Sequence, residues 1–298
     1  MNGAPPLTDA IDVLRRERRV SDGPVPNKLD RGSFDTGWAI TPEAFLVRHE
    51  QFAAIYRKGE GITLDRGTAA PGMIDLWLNG TIYAAIACLN GLFPIHASAV
   101  AVGNKLYAFT GPSGGGKSTL VTALGQLGLP LFCDDTLVLD LRGDALLALP
   151  GHKRVKLWPE SLALLGMEGT ELVSDDYRKF FISTSASDVA EPRKLSGLIH
   201  LEWGDEIAWR ALSASERFVA FDDDHYTWAK RRSVPGATGA MRNISGPGAG
   251  ANSTARSWPT RAATVRSCAG SLRVLSCPCC RRRRGRPSAA SGGAAPLR

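Results

Sequence analysis

Residues 111–118 read Gly-Pro-Ser-Gly-Gly-Gly-Lys-Ser, and Thr119 follows. Gly111, Gly114, Gly115 and Gly116 lack a Cβ, so the chain can turn tightly and aim successive backbone N–H groups inward. Such N–H groups, continued by the N-terminus of a following helix, hold phosphate oxygens. Pro112, Ser113 and Thr119 complete that cradle. Lys117 would set an ammonium on the β- and γ-phosphates, and Ser118 would offer a hydroxyl to Mg²⁺. Every specified position of G-x-x-x-x-G-K-[ST] is matched. The stretch therefore predicts a phosphate-binding loop (P-loop) for a nucleoside triphosphate, with MgATP as the expected ligand.

Asp134 and Asp135 follow an apolar lead of Leu129, Leu131 and Phe132. Asp134 is the candidate magnesium ligand beside Ser118, because hard oxygen donors suit that ion. The neighbouring carboxylate, Asp135, could accept a proton from an attacking hydroxyl. Adjacent residues of a strand point to opposite faces, so both can serve one site only where the strand ends. His96 stands just before the strand that leads to the loop. Lys153, Arg154 and Lys156 form a basic segment that could meet phosphates or simply face solvent. Asp222 to Asp224 with His225 read as a solvated acidic turn.

The elements that must position these residues are legible in outline. Ala97–Val102 and Lys105–Thr110 are β-rich runs around Gly103-Asn104, which predicts a hairpin. From Lys117 to Leu127 apolar residues recur on one helical face (Leu120, Val121, Leu124, Leu127), and Gly128 and Pro130 stop the helix. Thr136–Leu141 and Arg154–Leu157 read as strands. Pro159–Leu165 reads as a short helix with proline in its first turn. Upstream, 44–47 and 62–64 suggest strands and 79–92 a helix. Leu195–Trp203 and Ile207–Leu212 suggest an antiparallel pair around Gly204-Asp205.

Charge divides the chain. All 29 acidic residues lie in the first 224 positions, with 22 of the 36 basic ones, whereas 225–298 holds 14 basic residues and no acidic one. The formal charge of +7 thus hides a mildly acidic body. Because the positive charge sits outside the part that reads as folded, a nucleic-acid or acidic-membrane partner is not expected. Residues 1–36 read as a polar leader, poorly ordered, and 37–230 as one domain. Residues 231–298 read as a basic low-complexity tail, disordered or translated from a shifted frame, since Ser, Arg, Gly, Ala and Pro cannot bury enough apolar surface to order themselves. Four of the six cysteines (Cys268, Cys277, Cys279 and Cys280) lie there without paired C-x-x-C spacing. Ile82–Val102, broken by Asn90, Gly91, Pro94 and His96, suits a buried helix and strand better than a membrane span. With no signal peptide evident, a cytoplasmic location is expected.

His96-Ala97, two β-runs, Gly-Pro-Ser-Gly-Gly-Gly-Lys-Ser and an apolar lead into Asp134-Asp135 together resemble the catalytic domain of the HPr kinase/phosphorylase family. The likeness covers roughly 40–225 and is strongest over 94–141. It implies an α/β fold with a P-loop NTPase-type mixed sheet and flanking helices, akin to phosphoenolpyruvate carboxykinase. It also implies an ATP- and Mg²⁺-dependent serine kinase acting on a small protein or peptide, and a homo-oligomer. By that resemblance His96, Lys117 and Asp135 are catalytic, Asp135 taking the proton of the acceptor serine, and Ser118 binds magnesium. The sequence departs from the family at Leu149-Pro150-Gly151, where no Glu supplies a second magnesium ligand. The leader does not match the family's additional N-terminal domain. A P-loop ATP-binding regulator or weak ATPase without phosphotransfer is the alternative reading.

Overall fold

The computed structural model describes residues 7–30, 33–35, 37–142, 145–175, 177–182, 189–204, 209–213, 215–216 and 262–267. Within the expected leader, Ala10 and Leu14 fall on one helical face. That face is buried: α1 (Leu7–Glu17) packs both side chains into the core. The carboxylate of Glu17 is buried too, accepting from the Tyr56 hydroxyl at 2.9 Å and the Gly59 N–H at 2.7 Å. This part of the leader, α1, is thus integral to the fold, because two apolar side chains and a satisfied buried carboxylate hold it.

Strands β1 (Val20–Asp22), β2 (Ser33–Asp35), β3 (Trp38–Ile40), β4 (Ala44–Arg48), β5 (Ala53–Arg57) and β6 (Gly61–Asp65) form a six-stranded sheet in the order β1-β6-β5-β4-β3-β2. It is antiparallel except for β1 against β6. A continuous helix of 19 residues follows, made of α2 (Pro71–Trp77), a π turn (Leu78–Ile82) and α3 (Tyr83–Leu89). It begins eight residues before the expected start, with Pro71 in its first turn. Gly72 lets α2 press against the chain at Val173: a Cβ there would stand 2.3 Å from the Val173 carbonyl oxygen. By length and hydropathy this helix could cross a membrane, yet 67% of its most apolar window is buried inside the fold. Ala84 to Ala87 are wholly buried, since the helix lies between the six-stranded sheet and strands of a second sheet, and a helix apolar all round needs cover on every side.

That second sheet is built from β7 (Phe93–Ile95), β8 (Ser98–Val102), β9 (Lys105–Thr110), β10 (Leu131–Cys133), β11 (Leu137–Asp140) and β12 (Leu147–Leu149), completed later in the chain. The expected hairpin is present as β8 and β9. Helix α4 (Lys117–Gln126) covers the face opposite the long helix, with Val100, Phe109, Val121 and Leu131 in a shared cluster. Next come β13 (Lys156–Leu157), α5 (Pro159–Leu165), β14 (Glu171–Ser174) and β15 (Tyr177–Phe181), with the three strands forming a small antiparallel sheet in the order β13-β15-β14.

The long strand β16 (Arg193–Trp203) lies parallel to β9 and antiparallel to β12, and so completes the order β10-β8-β9-β16-β12-β11-β7. The expected pairing of β16 with β17 (Trp209–Ala211) is not found. β18 (Ala262–Ser267) stands between them, parallel to β16 and antiparallel to β17. The tail expected to be disordered therefore supplies a strand: an open sheet edge offers a row of N–H and C=O groups that a short Thr- and Val-containing segment can meet. Asp222 to His225 and the tail cysteines lie outside the described residues. The architecture is a mixed α/β fold with several sheets and flanking helices, an arrangement compatible with nucleotide binding.

Candidate active site

Two interruptions of strand pairing make the site. β7 pairs with β11 and β8 with β10, so residues 96–97 and 134–136 are facing gaps between the two paired stretches. Each gap releases side chains from the alternation that a strand imposes. Beside them the chain leaves β9 and enters the glycine-rich loop. Gly111 has φ 134° and lies so near β16 that a Cβ would stand 2.5 Å from the Leu201 carbonyl oxygen. Gly114 and Gly116 also have positive φ, and Gly116 precedes α4 without a side-chain cap. The first N–H groups of α4 thus start at the loop with no side chain over them, an arrangement that favours an anion. The Lys117 side chain is buried, its ammonium donating to the carbonyls of Gly111 at 2.8 Å and Pro112 at 3.1 Å.

Asp134 is fully buried. One carboxylate oxygen accepts from the Ser98 hydroxyl at 2.6 Å and from the Ser118 hydroxyl at 2.9 Å. The other, Oδ2, is buried with no hydrogen-bond partner. A buried carboxylate oxygen left in this state is costly, and a hard cation would relieve it. Ser118 and Asp134 together fit Mg²⁺, which commonly takes one or two protein oxygens and draws its other ligands from phosphates and water. Among the described residues no three His, Cys, Asp or Glu side chains are gathered for a metal, so an ion here would depend on such outside oxygens.

Asp135 turns differently. Its φ of 70° is the only positive value among described non-glycine residues, a conformation in which Asp and Asn are tolerated. That turn, after β10 has ended, lets both carboxylates serve one site. Asp135 Oδ2 lies 3.4 Å from the Lys156 ammonium, and Oδ1 lies 3.6 Å from His96 Nδ1. Burial alone would raise the Asp135 carboxyl, but Lys156, His96 and His152 outweigh it and hold it below the usual carboxylate range. His96 Nδ1 also sits 2.9 Å from the Asp135 backbone carbonyl. A carbonyl only accepts, so Nδ1 carries the hydrogen. Burial, then Lys117, push the His96 pKa down. His96 is therefore neutral at pH 7, and Lys156 is the charge that keeps Asp135 ionised.

One pocket is lined by His96, the 113–119 loop, Asp135 and Lys156, and it extends to Trp158, Ser161, Tyr177 and Lys179. Ser113 to Thr119 are thus together with His96 and Asp135, while Pro112 is exposed at the rim and Asp134 lies beneath. Of the basic segment only Lys156 reaches the pocket. Lys153 donates to the Val189 carbonyl at 2.9 Å, and Arg154 pairs with Asp75 and Glu171 over the ring of Phe181. Sequence reasoning gave no role to Ser98, His152, Trp158, Ser161, Tyr177 or Lys179. Ser98 is two residues beyond His96, on the strand side of the same break, and that spacing was the available signal. The others had none.

His152 lies under the carboxylates, its carbonyl accepting the Asp134 N–H at 3.2 Å. Both ring nitrogens are buried without a partner. Burial, with Lys156 next, drives its pKa down to about 4. An exposed imidazole titrates near 6.5, so between these values the unfolded chain binds more protons. Stability should fall as pH drops from about 6.5 to about 4, by roughly 3 kcal/mol from this group. Urea unfolding at pH 7.5 and pH 4.5 checks this. His152→Phe should lose distinctly less stability over that interval, and equal losses in both proteins would refute the assignment.

No family model matches the chain, and no curated protein matches it. Among solved structures, the Hpr(Ser) kinase/phosphatase from Coxiella burnetii aligns over 40% of this chain and 76% of that one, at 17% identity and a TM-score of 0.26. A likeness so slight carries no argument about this chain.

Proposed function

We propose that this protein is a cytoplasmic P-loop kinase that transfers the γ-phosphoryl group of MgATP to a serine hydroxyl of a small protein or peptide. The observation that carries the reading is the setting of Asp135: an ionised carboxylate sharing one pocket with the Lys117 ammonium and the uncapped start of α4. Phosphoryl transfer needs positioning and charge neutralisation more than covalent chemistry, and these are what the pocket offers. The loop N–H groups and α4 bind the phosphates. Lys117 leaves the carbonyls of Gly111 and Pro112 for the β- and γ-phosphate oxygens. Ser118 and Asp134 would hold Mg²⁺, which when bound would supply charge neutralisation for the phosphates. Asp135 orients the acceptor hydroxyl and takes its proton as the seryl oxygen bonds to the γ-phosphorus. The bond from that phosphorus to the β–γ bridging oxygen breaks, and ADP leaves with the electron pair. Neutral His96 fixes the Asp135 main chain through Nδ1–H, and Lys156 stabilises the ionised carboxylate.

The lack of a Glu at Leu149 to Gly151 keeps a second reading alive, an ATP-binding regulator without transfer. Incubating the full chain with MgATP and a panel of serine-bearing peptides and small proteins separates the two. Phosphoserine on an acceptor, found by mass spectrometry, is the expected result. Tight MgATP binding with no phosphoserine on any acceptor would sink the kinase reading and leave the regulator.

A further inference from the structure

The pocket that holds Asp135 and Lys117 is lined also by Trp158, Tyr177 and Lys179, which bring a different chemistry. Trp158 immediately precedes α5 and is 39% exposed. It belongs to none of the apolar core clusters, so packing does not account for an indole at this position. Its ring lies 5.5 Å from that of Tyr177, tilted by 54°. The Lys179 ammonium is 5.1 Å from the Trp158 ring centre and 5.3 Å from that of Tyr177. Both are within the range of a cation held on an aromatic face. The pairing of Lys156 with Phe181 and Leu157 with Phe180 continues toward Trp158 and Lys179, so strand register assembles the group.

We propose that this ledge is where the base of the bound nucleotide stacks, an inference that rests on the reading of the loop as a nucleotide site. The direction of the loop supports it. In this loop type the lysine reaches the β- and γ-phosphates and the hydroxyl residue beside it meets the metal. The γ-phosphate end thus lies with Lys117, Ser118 and Asp135. The Thr119 hydroxyl donates to Ser161 at 2.9 Å, which ties the first turn of α4 to the first turn of α5. A nucleotide leaving the loop along that side runs onto Trp158. Aromatic rings bind bases through π faces that every base possesses. The described lining residues include no Asn, Gln or Glu to read a base edge, and the hydroxyls of Ser161 and Tyr177 can each donate or accept. The ledge therefore selects for an aromatic base and does not separate adenine from guanine.

Calorimetry on the full chain with MgATP, MgGTP and magnesium tripolyphosphate tests this, using wild type, Trp158→Ala, Trp158→Phe and Lys117→Ala. ATP and GTP should bind within about threefold of each other and about ten- to a hundredfold more tightly than tripolyphosphate, in line with the effect of one base–aromatic stack. Trp158→Ala should erase that advantage while leaving tripolyphosphate affinity unchanged, and Trp158→Phe should keep most of it. Equal binding of ATP and tripolyphosphate by wild type would overturn the proposal. So would a Trp158→Ala protein that keeps its preference for ATP or loses all three ligands alike. A preference of ATP over GTP beyond tenfold would overturn the claim of indifference to the base. If Lys117→Ala changes no affinity, the nucleotide-site reading itself falls; if it weakens all three ligands while Trp158→Ala has no effect, only the ledge is refuted.

Discussion

Asp135→Asn is expected to slow phosphoryl transfer by about 10²- to 10⁴-fold, the usual contribution of a positioned general base, while leaving MgATP affinity within a few-fold of wild type. Asn is the informative replacement. At φ 70° it keeps the left-handed turn that alanine would strain, and its amide oxygen can still accept from Lys156. What it loses is the charge and the ability to take the acceptor's proton. Rates of phosphoserine formation, with calorimetric MgATP affinity as the control for folding, give the answer. A variant transferring at the wild-type rate would remove Asp135 from the reaction. Loss of ATP binding together with transfer would instead make the residue structural. The pH profile carries a related sign. The carboxyl is held below its usual range chiefly against burial by Lys156, so transfer should be flat near neutrality and fall only in acid, as Asp135 gains a proton.

Lys117→Ala is expected to weaken MgATP binding by about 1.5–3 kcal/mol, the range for a hydrogen bond to a charged group, or roughly ten- to a hundredfold in Kd. The ammonium is buried in the loop and satisfied by two loop carbonyls, so exchange of those carbonyls for phosphate oxygens needs no large movement. The substitution also leaves the Gly111 and Pro112 carbonyls without that donor, and part of the loss will reflect a looser loop. Lys117→Arg separates the two effects, since it keeps the charge but carries it on a wider planar group. Unchanged affinity in Lys117→Ala, with an unchanged melting temperature, would show that the loop does not bind phosphate.

Local features survived the passage from sequence to structure. The hairpin around Gly103-Asn104, α4 and α5 lie where turn residues, helical periodicity and a first-turn proline put them. These depend on contacts within a few residues. The leader did not behave as its polarity suggested, because a two-residue apolar stripe (Ala10 and Leu14) suffices when a sheet waits to receive it. The long helix began earlier than its apolar run, since Pro71 starts it and a close approach at Gly72 allows it. β18 entered between β16 and β17 from some 50 residues along the chain, a pairing that no local pattern announces.

The residue types and spacing of 111–119 by themselves determined that a tight loop with an ammonium, a hydroxyl and exposed N–H groups would stand between a strand and a helix. Those properties reside in glycine, lysine and serine whatever surrounds them. Only the tertiary structure decided the rest. It set the two strand breaks opposite each other, so that His96 and Asp135 meet. From three neighbouring basic residues it chose Lys156 to face Asp135. It buried the His152 ring nitrogens without partners and carried Trp158 and Lys179 to the pocket that holds Asp135. Each of these depends on packing between distant segments, and for Lys156 and Lys179, which lie on β13 and β15, a one-residue slip in register would send the side chain to the opposite face.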